Sequence, residues 1–199
     1  MSQLSQNRRV LWLVSGGSCI EVAVGVAGLL IGQNLSNLVM SLVDERYGPI
    51  GHPNSNWQQL VMAEFALPGA TLNPVLSGAS KAATTEAYES FLMHEFANTD
   101  YHIGLLGIGA DGHTSGVLPH SLAVTATELA TSYDAGEYQR ITTTPTALSK
   151  LNEAVVYAVG PSKWPVLDRL ETELPVAVQP AQALKAVARL TVFTDRPLH

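Results

Sequence analysis

Apolar runs of strand length alternate with helix-like stretches along most of the 199 residues. Residues 9–14 (RVLWLV) are apolar at consecutive rather than alternate positions, which predicts a strand buried on both faces. Ser15-Gly16-Gly17-Ser18 breaks that run, and residues 20–30, rich in Ala, Val and Leu, predict a packed helix. Residues 38–43 (LVMSLV) predict a second strand, which runs into Asp44-Glu45-Arg46. A loop of Gly, Pro and His follows, then a helix over 55–65 with Ser55 as its N-cap. Residues 68–80 read as an irregular connection and 82–96 as a helix with apolar positions near Ala83, Ala87, Phe91 and Phe96. Residues 101–108 (YHIGLLGI) predict the next buried strand. Further on, the pattern predicts strands over 140–144, 154–159 and 190–195 and a helix over 163–173. Such alternation predicts an α/β fold, a single-domain open, mostly parallel sheet flanked by helices. No repeat, low-complexity tract or linker divides residues 1–199, so one domain is expected.

Composition narrows the functional classes. Hydrophobic residues make up 46% of the chain, yet no apolar stretch approaches the roughly 18 residues of a membrane span. A soluble protein with no membrane partner is expected. The net charge of −6 argues against a protein that grips nucleic-acid backbone, which needs clustered cations. The single cysteine, Cys19, cannot form an internal disulfide, and the N-terminal apolar run is too short for a secretory signal, so a cytoplasmic location is expected. Cys19 reads as a small packed residue, the alternative being a reactive thiol near a helix start.

In open α/β sheets, ligands bind beyond the carboxyl ends of the strands, so the polar residues after each apolar run are the ones to collect. Ser15 to Ser18 have the materials of an anion cradle, with glycines for close backbone approach and a helix N-terminus behind them; simple turn chemistry is the alternative. Neither a P-loop lysine nor a GxGxxG is present, which argues against a nucleotide triphosphate or dinucleotide. Asp44-Glu45-Arg46 is read as a solvated charge cluster or as groups that hold a substrate. The third strand end, GIGADGHTSGVLP (residues 107–119), brings Asp111 and His113 together. Histidine changes charge near neutral pH, and a carboxylate two residues away would fix its tautomer for acid/base work. A surface or turn-capping histidine is the competing reading. His94, His102, His113 and His120 lack the spacing of a zinc site, so no metal is expected.

Taken together and in order, these segments resemble the 6-phosphogluconolactonase branch of the superfamily that also holds glucosamine-6-phosphate deaminase. SGGS at Ser15 is similar to its phosphate loop, DERYGPIGHPNSN (44–56) to its DER segment, and GIGADGHTSGVLP to its signature around Asp-Gly-His. RITTTPTALSKLN (140–152) and GPSK (160–163) are similar to two later segments whose Arg and Lys help hold the sugar phosphate. The deaminases carry a glutamate directly before the proline and usually Asp-Glu-Tyr at the acidic segment. Here Leu118 precedes Pro119 and Arg46 follows Glu45, which favours the lactonase branch.

The resemblance implies a Rossmann-like, deaminase-like fold and hydrolysis of 6-phospho-D-glucono-1,5-lactone in the oxidative pentose phosphate pathway. It implies a sugar-phosphate lactone as partner, no cofactor, and a monomer or small homo-oligomer. Ser15, Gly16, Gly17, Ser18, Arg140 and Lys163 would grip the phosphate. His113 would act as acid/base with Asp111 orienting it, Arg46 would stabilise carbonyl or ring-oxygen charge, and Asp44 would hold sugar hydroxyls or orient Arg46. The competing functions are a glucosamine-6-phosphate deaminase or isomerase and a non-catalytic sugar-phosphate sensor. The chain departs from the family in a short segment before Ser15, in Cys19 after the loop, and in Trp164 where small residues are usual.

Overall fold

In the computed structural model, which describes residues 2–197, the chain forms a six-stranded parallel sheet and a smaller antiparallel one. The strands are β1 (Val10–Val14), β2 (Leu38–Leu42), β3 (Asp44–Arg46), β4 (Thr71–Asn73), β5 (Tyr101–Gly107), β6 (Ala130–Asp134), β7 (Gln139–Thr143), β8 (Glu153–Tyr157) and β9 (Arg189–Phe193). The helices are α1 (Ser2–Ser5), α2 (Cys19–Leu29), α3 (Asn56–Met62), α4 (Lys81–Asn98), α5 (Pro145–Leu148) and α6 (Trp164–Leu170). The parallel sheet runs β4-β2-β1-β5-β8-β9, and β3-β7-β6 forms the other.

Every residue of β1 and β2 is buried, as expected of central parallel strands. From β1 the chain builds outward through β2 to β4, then returns to the other side of β1 as β5 and continues through β8 to β9. The order therefore reverses between β1 and β5, and a crevice opens at their carboxyl ends. One face of the β1-β5-β8 sheet also carries an opening. There α2 and the side chains of Trp12, Ile103, Val155 and Tyr157 border an apolar groove of about 600 Å³.

The smaller sheet begins where β2 ends. Val43 donates its N–H to Val14 O, and its own carbonyl accepts from Thr143, so one residue hands the chain from the first sheet to the second. Asp44-Glu45-Arg46 is thus a strand rather than a solvated cluster, and it pairs antiparallel with β7. Three further differences from the sequence reading have local causes. β4 is a three-residue, half-exposed edge strand inside the segment read as irregular. β6 carries Thr, Ser and Asp and is held by Glu89 of α4, whose carboxylate accepts from the Leu129 and Ala130 N–H groups. The helix expected over 163–173 is a 3-10 turn at Pro161–Lys163 followed by the two turns of α6. The helix expected over 55–65 is α3, with Ser55 Oγ accepting from Gln58 N at 3.1 Å as its cap.

Cys19 is fully buried at the start of α2. Burial first, and the Asp44 carboxylate second, push its thiol up to about 12, so it packs rather than reacts.

Candidate active site

Three residues of β3 are divided by the strand's two-residue period. Asp44 and Arg46 point to one face, while Glu45 turns to the other. There Glu45, fully buried, accepts hydrogen bonds from Arg46 N (2.7 Å), Ser55 Oγ (2.8 Å), Asn56 N (2.7 Å) and Trp57 N (3.0 Å). Its carboxylate therefore closes the N-terminus of α3 and fixes that helix to β3. Burial raises the Glu45 pKa, with these four donors pulling the other way.

On the opposite face the register sets Arg46 directly across from Arg140 of β7. Like charges placed so are unfavourable on their own, and each arginine has a separate restraint. Arg140 Nη1 lies 3.2 Å from Asp44 Oδ2, with both side chains largely buried. Arg46 donates from Nη1 to Asn54 O at 2.9 Å, and its guanidinium sits 5.1 Å from the centre of the Tyr138 ring. Asp44 is thus the partner of Arg140 and makes no hydrogen bond to Arg46. Burial raises the Asp44 pKa, and the charges of Arg140, Arg46 and His113 only partly offset this.

Beyond β1, the Ser15–Ser18 turn leads into α2; Ser18 makes no side-chain cap bond, and Ile20 N is taken by Gly17 O at 3.0 Å. Gly16 has no substitute here, because a Cβ on it would fall 2.1 Å from Asn56 Oδ1. Beyond β5, Gly109 is equally constrained: a Cβ would lie 2.1 Å from His113 Nδ1, so the glycine lets the imidazole fold back over the loop. His113 Nδ1 is 2.6 Å from Asp111 Oδ1, which also accepts from His113 N at 3.1 Å. Burial works against ionisation of Asp111, but the hydrogen bonds and charge of His113 outweigh it and hold the pKa below the usual carboxylate value. An ionised Asp111 can only accept, so Nδ1 is the ring nitrogen that donates to it, and in the neutral imidazole Nε2 carries the lone pair.

A cavity of about 270 Å³ joins these pieces. Ser15, Gly16, Gly17, Ser18, Asp44, Arg46, His113, Arg140 and Lys163 all line it, and Asp111 stands behind His113. The Lys163 ammonium has no ion-pair or hydrogen-bond partner among the described residues. Buried side-chain atoms without a protein partner gather at this cavity: Ser15 Oγ, Arg46 Nε, Asn56 Oδ1, Ser115 Oγ and Arg140 Nε all belong to residues that line it. Native proteins satisfy nearly all such groups, so a cluster of them marks a place built for a polar ligand. The larger groove has none among its lining residues. Among the described residues no three His, Cys, Asp or Glu side chains gather as metal ligands.

Asn56, Ser115 and Tyr138 carry no role in the sequence reading. Asn56 holds its place by donating to Asp44 O at 2.9 Å, and its position directly after the Ser55 cap was a usable signal. Ser115 is buried in a left-handed conformation (φ 50°), a strain that concentrates at functional sites. Tyr138 sits at the β6–β7 hairpin, and only the strand register brings it to Arg46.

Comparison with known proteins agrees in one direction. Residues 1–193 match the family model described as glucosamine-6-phosphate isomerases/6-phosphogluconolactonase. A 6-phosphogluconolactonase of Synechocystis is 29% identical over 137 residues, 64% of this chain and 57% of that protein. One of Helicobacter pylori is 29% identical over 154 residues, 70% of this chain and 65% of its own length. The chain therefore spans less than two-thirds of either curated relative. The crystal structure of a Thermotoga maritima 6-phosphogluconolactonase superposes with a TM-score of 0.81 at 22% identity, covering 97% of this chain and 88% of that one, which establishes the shared fold.

Proposed function

Because the chain belongs to the glucosamine-6-phosphate isomerase/6-phosphogluconolactonase family, we propose that it hydrolyses 6-phospho-D-glucono-1,5-lactone to 6-phospho-D-gluconate, with residues 1–199 as one catalytic domain. The observation that carries this reading is the cavity itself. It sets a histidine with a free Nε2 lone pair beside three cationic side chains and a helix N-terminus.

The phosphate of the substrate is the natural occupant of the Ser15–Ser18 turn, with Lys163 and the remaining donors of Arg140 closing on it. Binding energy from that remote dianion then holds the lactone carbonyl for attack. Nε2 of His113 takes a proton from water as the water oxygen bonds to C1, and Asp111 stabilises the imidazolium that results. The C1 oxyanion lies within the field of Arg46. As the C1–O5 bond breaks, the imidazolium returns its proton to O5. Water is thus divided between the new carboxyl and the new hydroxyl, and the enzyme is regenerated without a cofactor. Asp44 anchors Arg140 rather than aiming Arg46.

Leu118 before Pro119, where deaminases carry glutamate, supports the lactonase over the deaminase. The reading includes a cytoplasmic protein with no nucleic-acid partner, supported by the net charge of −6. Among the described residues no helix is long and apolar enough to cross a membrane. The test is 6-phosphogluconate formation from lactone generated in situ, measured against the spontaneous rate. Acceleration is expected; binding of 6-phosphogluconate with no acceleration would replace the enzyme with a sensor.

A further inference from the structure

Lys163 reaches the cavity from the junction between the 3-10 turn Pro161–Lys163 and the first residue of α6. Gly160, at φ 106°, starts the turn, and Lys163 N donates to Gly160 O at 2.9 Å to close it. A lysine at such a junction has four side-chain torsions to order, and the direction in which it leaves the backbone depends on how the junction is held. The restraint comes from the far end of the chain. Asp195, just beyond β9, accepts with a single oxygen, Oδ1, from Gly160 N at 2.9 Å and from the indole Nε1 of Trp164 at 3.0 Å. These donors bracket Lys163, one at the start of its turn and one on the residue after it. The next residue, Arg196, reaches Asp168 at 2.5 Å and Glu171, strapping the same segment to α6. From α6, Arg169 Nη2 donates to Ala110 O at 3.3 Å, in the loop that carries His113.

We propose that Trp164 and Asp195 are positioning residues that hold the Lys163 turn at the mouth of the cavity, so that the ammonium meets the substrate phosphate without first being ordered by it. The proposal rests on the reading of the cavity as a sugar-phosphate site. It gives Trp164 a task that a small residue cannot perform, since only a side chain with an N–H of that reach can add the second hydrogen bond to Asp195. Binding without an ordering cost lowers KM and the phosphate dissociation constant and leaves the bond-breaking step alone.

The experiment is a double-mutant cycle with two readouts, lactone kinetics and the binding of inorganic phosphate. Trp164→Phe keeps an aromatic side chain and removes the indole N–H; Asp195→Ala removes both acceptor bonds; Asp195→Asn keeps the acceptor oxygen. Trp164→Phe is expected to raise KM and the phosphate dissociation constant about fivefold, the size of one hydrogen bond, with kcat within about twofold. Asp195→Ala should do the same or more, and Asp195→Asn should recover most of the loss. In a Lys163→Ala background Trp164→Phe should add almost nothing, because the side chain it positions is gone. Unchanged KM and phosphate affinity in Trp164→Phe would overturn the proposal, as would an equal loss in both backgrounds. A wild type that turns over no lactone while the phosphate cycle behaves as expected would sink the lactonase reading and leave the latch standing. Turnover with an additive cycle would do the reverse.

Discussion

The two concavities of this molecule are opposites. The groove bordered by Trp12, Ile103, Val155 and Tyr157 is more than twice the volume of the polar cavity, and at its edge Tyr101 donates to Glu153 at 2.8 Å. The smaller cavity holds two arginines in opposed register, a strained serine and several buried atoms without partners. Each of these costs free energy in the unliganded protein, and a fold keeps such costs where a ligand repays them. Unmet polar demand, rather than size, locates the chemistry.

The largest effect expected to separate the two regions comes from His113→Ala. It should lower kcat about 100-fold or more if Nε2 moves the protons, with a melting temperature near that of wild type because the side chain is partly exposed. Turnover close to wild type in the folded variant would place the acid/base elsewhere. Next, Lys163→Ala should raise KM roughly tenfold, the weight of one charged hydrogen bond, and should weaken competition by inorganic phosphate; an unchanged KM would remove the lysine from the phosphate site.

A third test uses pH. The Asp44 pKa is raised above 3.8 by burial, so its contribution to stability is fully present below the unfolded value and is lost as pH rises through the folded one. Relative to Asp44→Asn, wild-type unfolding free energy should therefore decline across that window in urea titrations. A difference independent of pH would show that Arg140 offsets the burial completely. The smallest effect belongs to the groove. Val155→Thr puts an unsatisfied hydroxyl there and should cost about 1 kcal/mol of stability, with kcat and KM unchanged. A kinetic defect would couple the groove to the site and undo the contrast.

The same contrast explains what could be read without coordinates. RVLWLV announces β1 because a strand buried on both faces must be apolar throughout, the Leu105-Leu106 run of YHIGLLGI announces β5 by its buried second half, and the SGGS and GIGADGH turns follow from where those runs stop. β4 and β6 escape notice because short or half-exposed edge strands tolerate Thr, Ser and Asn. Asp44-Glu45-Arg46 looks like a charge cluster until the strand period assigns its middle residue to α3 and its outer two to the cavity. The opposition of Arg46 and Arg140, and the hold of Asp195 on Gly160 and Trp164, depend on pairings between distant segments that no local pattern encodes.

Cys19 bears on how all of this can be observed. It is the only thiol in the chain, sealed in the core and scarcely ionised at neutral pH. A cysteine introduced at an exposed position, such as Leu29→Cys on the groove rim, would therefore be the one site open to maleimide chemistry. A fluorophore or spin label could be attached there in a single step, with no background to engineer away.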